Sequence, residues 1–261
     1  MTTDYLSETG CPEPYLRRIA EAGFTHLHWC HHWRTDFLYT DPEIKQISLW
    51  LDEFGLALLN VHASAGKEKR FGSEREYERQ AGVALIQNRM EMAARLSSDV
   101  VILHADQSES LESQLKSLSQ LAKESHDLEV RVAIENPLNG DFSRVNKLLS
   151  EFSPDFLGLC YDSGHGNIHY DGTRELERLK DRLIAVHLHD NDGSGDQHRI
   201  PFTGTVPWSR IAELISLSAY RKCMNLELYM KSHTYSTEAE YLKAAYIAGK
   251  KLTQMIADAE K

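Results

Sequence analysis

The chain has 261 residues, of which 41% are hydrophobic and 26% charged, with a net charge of −10. That balance permits a sizeable folded core and excludes a disordered chain. The acidic surplus counts against a general nucleic-acid binder, which needs basic side chains to displace counterions from phosphates.

Residues 3–6 read as a short first strand, and Pro12-Glu13-Pro14 opens a helix that closes at Gly23. An apolar run at 24–29 is the second strand; one of its faces carries His26 and His28. Asp41 is placed to cap the next helix, Pro42 to begin its first turn and Gly55 to end it. Residues 56–62 form the third strand. Ser73-x-x-Glu76 has the form of a capping box, and apolar residues from Tyr77 to Leu96 keep to one helical face. The mixed charges at 74–79 read as a solvated helix face. Further strands follow at 99–104, 130–135, 156–162, 183–187 and 223–228. The helices between them run over 111–121, 144–152, 176–183 and 208–217, and Thr237-x-x-Glu240 caps a long last one. Eight strand–helix units without a linker predict an α/β protein, a single (β/α)8 barrel over 1–261, with its site at the C-terminal strand ends. No glycine-rich nucleotide fingerprint is present.

Cys11, Cys30, Cys160 and Cys223 stand far apart, so neither a zinc knuckle nor a disulfide framework is expected. Cys160 and Cys223 lie in strand-like runs and read as buried thiols. The N-terminus has no leader-like pattern, and no apolar run approaches the ~18 residues of a membrane span, so a cytoplasmic protein without membrane contact is expected. Self-association into a homo-oligomer stays open.

The strand ends carry the chemistry. They read His62, His104, Glu135, Asp162, His187 and Glu227, each directly after an apolar run. Carboxylates converging in one barrel mouth repel one another unless a cation joins them. Mixed carboxylate and imidazole ligands suit manganese, zinc, cobalt or iron(II) rather than calcium. His165 lies just past Asp162, and Asp196-x-His198 lies in a glycine-rich loop that can fold back over the mouth. His187 and His189 share one face of their strand. His28 and Trp33, near the mouth, are candidate substrate contacts.

Together these pieces resemble the xylose-isomerase-like barrel superfamily of sugar and sugar-phosphate isomerases and epimerases, which also contains endonuclease IV. The likeness rests on Asn60-Val-His62, Ile102-Leu-His104, Ala133-Ile-Glu-Asn136, Tyr161-Asp-Ser-Gly-His165, Val186-His-Leu-His-Asp190, Asp196-Gln-His198 with Gly204 and Trp208, and Asn225-Leu-Glu227, in order. The epimerases of that group imply one divalent metal, often Mn²⁺, on Glu135, Asp162, His187 and Glu227. The two glutamates double as an acid/base pair. The family ligand heads a His-x-x-Asp run, which selects His187 over His189. Endonuclease IV implies up to three zinc ions, with His62, His104, His165, Asp196 and His198 as further ligands. In one respect the chain departs from the epimerases: Gly193 stands where they carry an arginine, and Arg199 is the nearest substitute.

The expected activity is metal-dependent isomerisation or epimerisation of a small carbohydrate through an enediolate, with Mn²⁺ or Zn²⁺ as cofactor. A keto-sugar lyase on the same site, a trinuclear zinc phosphodiesterase and a non-catalytic binding barrel are the alternatives. No phosphate cradle is visible, which favours free sugars.

Overall fold

The computed structural model describes residues 1–66, 68–138, 141–168 and 172–259. Its centre is a parallel sheet of six strands in sequential order. These are β1 (His26–Trp29), β2 (Ala57–His62), β3 (Val100–His104), β4 (Arg131–Glu135), β5 (Leu157–Asp162) and β6 (Leu183–His187). The connecting helices are α1 (Glu13–Glu21), α2 (Asp41–Phe54), α3 (Glu76–Arg95), α4 (Leu111–Leu128), α5 (Ser143–Glu151), α6 (Ser163–Ile168), α7 (Gly172–Leu179), α8 (Trp208–Ser216) and α9 (Glu238–Ala259). None of the described helices is long and apolar enough to cross a membrane.

The expectation of eight regular strands is corrected to six among the described residues. Residues 3–6 turn instead of extending, and Thr2 Oγ1 donates to Asp4 Oδ1 at 2.5 Å. What remains of the first and last strands is a pair of single bridges, Thr2 to His28 and Leu188 to Leu226. Thr2 N donates to Leu226 O at 2.9 Å, so the two edges of the sheet still meet through these residues. One bridge at each place is too short a ladder for a strand. Cys223, expected to be buried there, is exposed, whereas Cys160 is buried as expected.

Side chains alternate across the sheet, and its inner face has two tiers. Ile102, Ala133, Cys160 and Ala185 form a small apolar cluster. Two residues on, with the same facing, stand His104, Glu135, Asp162 and His187. The pairing register sets His104 beside Glu135 and Asp162 beside His187. The outer face joins the helices in the main hydrophobic core.

Local caps differ from the sequence reading in detail. Thr40 rather than Asp41 caps α2, its N–H donating to Glu43 Oε2 at 2.8 Å. Ser73 does not cap α3; its hydroxyl accepts from Arg75 N at 3.2 Å, one residue before the helix begins. Helix α4 runs on to Leu128, where Glu129 ends it with φ 54°. The cap of α9 is as expected: Glu240 N donates to Thr237 Oγ1 at 3.2 Å, and Thr237 N to Glu240 Oε2 at 3.2 Å.

The solvated face expected at 74–79 stops short of its end, because Glu78 and Arg79 are buried. Arg79 Nη1 donates to Ser117 Oγ at 2.8 Å, tying α3 to α4. Nearly three helix turns further on, Arg89 is fully buried, donating to Phe37 O at 3.0 Å and to Asn88 Oδ1 at 2.8 Å. It also lies over the Tyr39 ring at 4.5 Å. Burial pulls its guanidinium down to about 10. Arg89 therefore holds the loop that carries Trp33. Arg89→Ala removes a charged donor from buried acceptors and should cost about 2–4 kcal/mol, against under ~0.5 kcal/mol for the exposed Arg75→Ala. Urea unfolding of both variants measures the difference.

Candidate metal centre

Glu135, Asp162, His187 and Glu227 converge: one ligand atom of each lies within 4.8 Å of the others, and all four residues are buried. The first three come from the ends of β4, β5 and β6. Glu227 comes from the segment bridged to Leu188, where its N–H donates to Leu188 O at 3.3 Å. His187 Nδ1 lies 3.1 Å from Glu135 Oε2 and 3.0 Å from Glu227 Oε2. Neither contact has hydrogen-bond geometry, so both ring nitrogens of this buried histidine lack a hydrogen-bond partner. Atoms that crowd about a point without aligned N–H bonds are what a shared cation would bring together.

Two further groups adjoin this one. His62, His104 and Glu135 form the first. His62 Nε2 lies 3.2 Å from His104 Nε2, and His104 Nε2 lies 3.0 Å from Glu135 Oε2. The second is His189, Asp196 and His198. Asp196 Oδ2 lies 3.0 Å from His198 Nε2 and 3.7 Å from His165 Nε2.

Three of these histidines are oriented alike. Nδ1–H donates to a backbone carbonyl in His62 (Ala63 O, 2.9 Å), His165 (Asn136 O, 2.9 Å) and His198 (Glu227 O, 3.0 Å). That donation fixes the ring orientation and leaves Nε2 as the atom facing the carboxylates, where it carries a proton or, once the proton is released, can bind a metal.

The electrostatics agree. Burial would raise the Glu135 carboxyl, but His187 and His104 hold it well below the usual carboxylate range. Burial is likewise overcome at Glu227 by His187 and His198. Burial opposes charge on His165 and His198, yet Asp162 and Asp196 bring His165 up to about 10, and Asp196 and Glu227 bring His198 up to about 9. Protons on the imidazoles thus balance the carboxylates, and a bound cation would take over that role while releasing them.

The short motifs have local physical reasons. Asn136 pins β4 to β5: Nδ2 donates to Asp162 O at 3.0 Å, and Oδ1 accepts from Asp162 N at 2.6 Å. Ser163 Oγ donates to His189 O at 2.7 Å and accepts from His189 N at 2.9 Å. Gly164 packs against the His189 ring, where a Cβ would stand 1.9 Å from Cε1. Asp190 organises the loop beyond. Its carboxylate accepts from Asn191 N (3.0 Å), Phe202 N (2.8 Å), Val206 N (3.1 Å) and Trp208 Nε1 (2.9 Å). Gly204 is needed because a Cβ there would meet Asn191 O at 2.2 Å.

Above the centre lies a cavity of about 580 Å³, within the range of small-molecule sites. Trp33, His104, Glu135, His165, Asp196, His198 and Glu227 line it, whereas Asp162 and His187 lie beneath. The Trp33 ring covers that of His62 at 4.4 Å. His28 is buried behind Glu227, its Nε2 3.8 Å from Glu227 Oε1. Arg199 donates to Asp192 at 3.2 Å and does not line the cavity.

Sequence reasoning set aside His189, which lies 3.0 Å from Asp162 Oδ2 and stacks on His198 at 4.0 Å. The period-2 repeat had put it on the same face as His187, so both face the carboxylates. It also missed Arg34 and Tyr229 in the cavity wall. Neither carries a local signal, since their placement depends on loops.

The profile of the xylose isomerase-like TIM barrel family matches residues 16–245. Protein y4fM of Sinorhizobium fredii is 34% identical, over 94% of this chain and 89% of its own length. Among solved structures, an L-ribulose 3-epimerase superposes with a TM-score of 0.78 at 14% identity, covering 99% of this chain and 94% of its own. A D-tagatose 3-epimerase-like protein gives 0.74 at 20% identity, covering 92% of each. At such identities the structural likeness is one of fold. Together with the profile match across most of the sequence, it identifies the chain as a member of the xylose isomerase-like TIM barrel family.

Proposed function

We propose that this protein is a divalent-metal-dependent isomerase or epimerase acting on a ketose. The observation that carries the reading is the meeting of Glu135 and Glu227 at His187, at 3.1 and 3.0 Å, on the floor of the cavity. The epimerase names of the structural neighbours support it. Glu135, Asp162, His187 and Glu227 would hold the metal, Mn²⁺ or Zn²⁺. When bound, the metal supplies Lewis-acid polarisation of a carbonyl and so acidifies the neighbouring C–H.

The protein's own groups then move the proton. Glu135 and Glu227 come from opposite edges of the ligand set, and either carboxylate can take the α-hydrogen while the other returns one, through an enediolate. Surrounding imidazoles hold both carboxyls below the usual carboxylate range, so either can act as the base, and the one that returns a proton to the enediolate must first take it up from solvent or a neighbouring imidazole. Trp33 and Tyr229 shield the cavity wall from water.

One observation favours a second reading. The three ligand groups lie side by side, which suits more than one ion and so a phosphodiesterase of the endonuclease IV kind. The acidic surface, with a net charge of −10, opposes a DNA substrate.

Three outcomes are expected. Glu227→Gln keeps most of its metal, because an amide oxygen still coordinates, but deuterium exchange from solvent into a bound ketose should slow by about 10²–10⁴. Exchange at the wild-type rate removes Glu227 as the base. Addition of Mn²⁺ or Zn²⁺ should raise the melting temperature and chelator should lower it, since the ion binds only the folded form; an unchanged melt excludes a metal centre. Metal-loaded protein should leave duplex DNA with abasic sites uncut. Efficient incision, together with metal lost on His198→Ala, reverses the ranking of the two readings.

A further inference from the structure

Arg34 is the one Arg or Lys among the described residues lining the cavity; Asp106, Glu135, Asp196 and Glu227 are the charged lining residues of opposite sign. Its guanidinium carbon lies 4.5 Å from the centroid of the Trp33 ring, and that ring packs on His62. The cation therefore lies over an indole that itself packs on His62 of one candidate ligand group. Among the described residues Arg34 gives one hydrogen bond, from Nη1 to Glu8 Oε1 at 3.2 Å. The backbone of Glu8 is anchored to the same loop, its carbonyl accepting from His32 N at 2.8 Å.

Folding does not account for this arrangement. The Arg34 side chain is 50% exposed and that of Glu8 33%, and such solvent-screened pairs add little to stability. What the arrangement does is hold a guanidinium fork at the wall of an otherwise acidic cavity. A stacked guanidinium is already ordered, so it loses little freedom on meeting a planar or tetrahedral oxyanion, which it can bind through two parallel N–H bonds. Once a cation neutralises the carboxylates at the floor, Arg34 is the lining cation that a ligand anion can answer in place of Glu8.

We propose that Arg34 is a specificity-determining residue: it receives an anionic group, carboxylate or phosphate, carried by the ketose, and Glu8 is the counter-ion that this group displaces. The inference rests on the ketose reading above and narrows it to acidic or phosphorylated sugars, against the free sugars favoured by the absence of a phosphate cradle in the sequence.

The test is calorimetric titration of metal-loaded protein with D-fructose, D-fructose 6-phosphate and D-fructuronate. At least one charged probe should bind the wild type about tenfold or more tightly than D-fructose, and whichever does so distinguishes phosphate from carboxylate. Arg34→Gln should abolish that advantage while leaving D-fructose within about twofold, because the residue is exposed and the fold does not depend on it. Glu8→Gln should strengthen the charged probes by about two- to fivefold through removal of the competing carboxylate. Arg34→Lys keeps the charge but loses the fork and should fall between wild type and Arg34→Gln. If D-fructose binds and the charged probes bind no better, or if Arg34→Gln weakens all three alike, the proposal is overturned and the ketose reading stands. If none of the three binds, both fall.

Discussion

Three carboxylates, those of Glu135, Asp162 and Glu227, sit buried at the strand ends with Asp196 close above them, and the rest of the structure answers the positive charge that this demands. Two like charges 4 Å apart repel by roughly 4 kcal/mol even at an effective dielectric near 20, and desolvation adds several kcal/mol for each ion. Imidazoles alone meet the demand only by taking protons well above their ordinary range, as His165 and His198 do. A divalent cation meets it with less crowding. The clustering of histidines at the strand ends answers that need, and the pairing register of β3 to β6 brings them level with the carboxylates.

The scaffold keeps these groups from drifting apart. Small inner residues, Ala133, Cys160 and Ala185, let the strands approach closely beneath the ligand tier. Asn136 and Ser163 then hold neighbouring strands at the level of the ligands themselves. His62, His165 and His198 are tied through Nδ1 to main-chain carbonyls, so their orientation is inherited from the backbone. Preorganisation of this kind is what a proton-transfer site needs, because misplacement by an ångström costs more than the loss of a peripheral contact.

Much of this was legible in the sequence, because buried parallel strands read as apolar runs and the residue after each run sits at the rim. The candidate ligands His62, His104, Glu135, Asp162, His187 and Glu227 follow from that rule, whereas His165, Asp196 and His198 lie beyond the strand ends and are drawn in as ligands by the family resemblance. Other features depend on distance in three dimensions. His187 and His189 share a strand face, and only the packing of His189 between Gly164 and His198 shows that both enter the cluster. Thr40 and Asp41 are both good caps; the turn before α2 selects Thr40. Glu78 and Arg79 read as surface charges because their partners, Arg70 and Ser117, lie on other elements. The first and last strands read as strands from composition, yet each has room for a single bridge.

The loop carrying Asp196 and His198 is fastened at its base. Asp190 gathers four donors from Asn191 before the loop and Phe202, Val206 and Trp208 after it, and Asp190 and Arg199 exchange backbone hydrogen bonds of 2.7 and 2.8 Å. A wall tied in this way cannot swing outward without breaking all of these bonds together. The position of Asp196 and His198 over the carboxylates is thus inherited from the backbone at the base of the loop, and a ligand must fit a wall already shaped before it arrives.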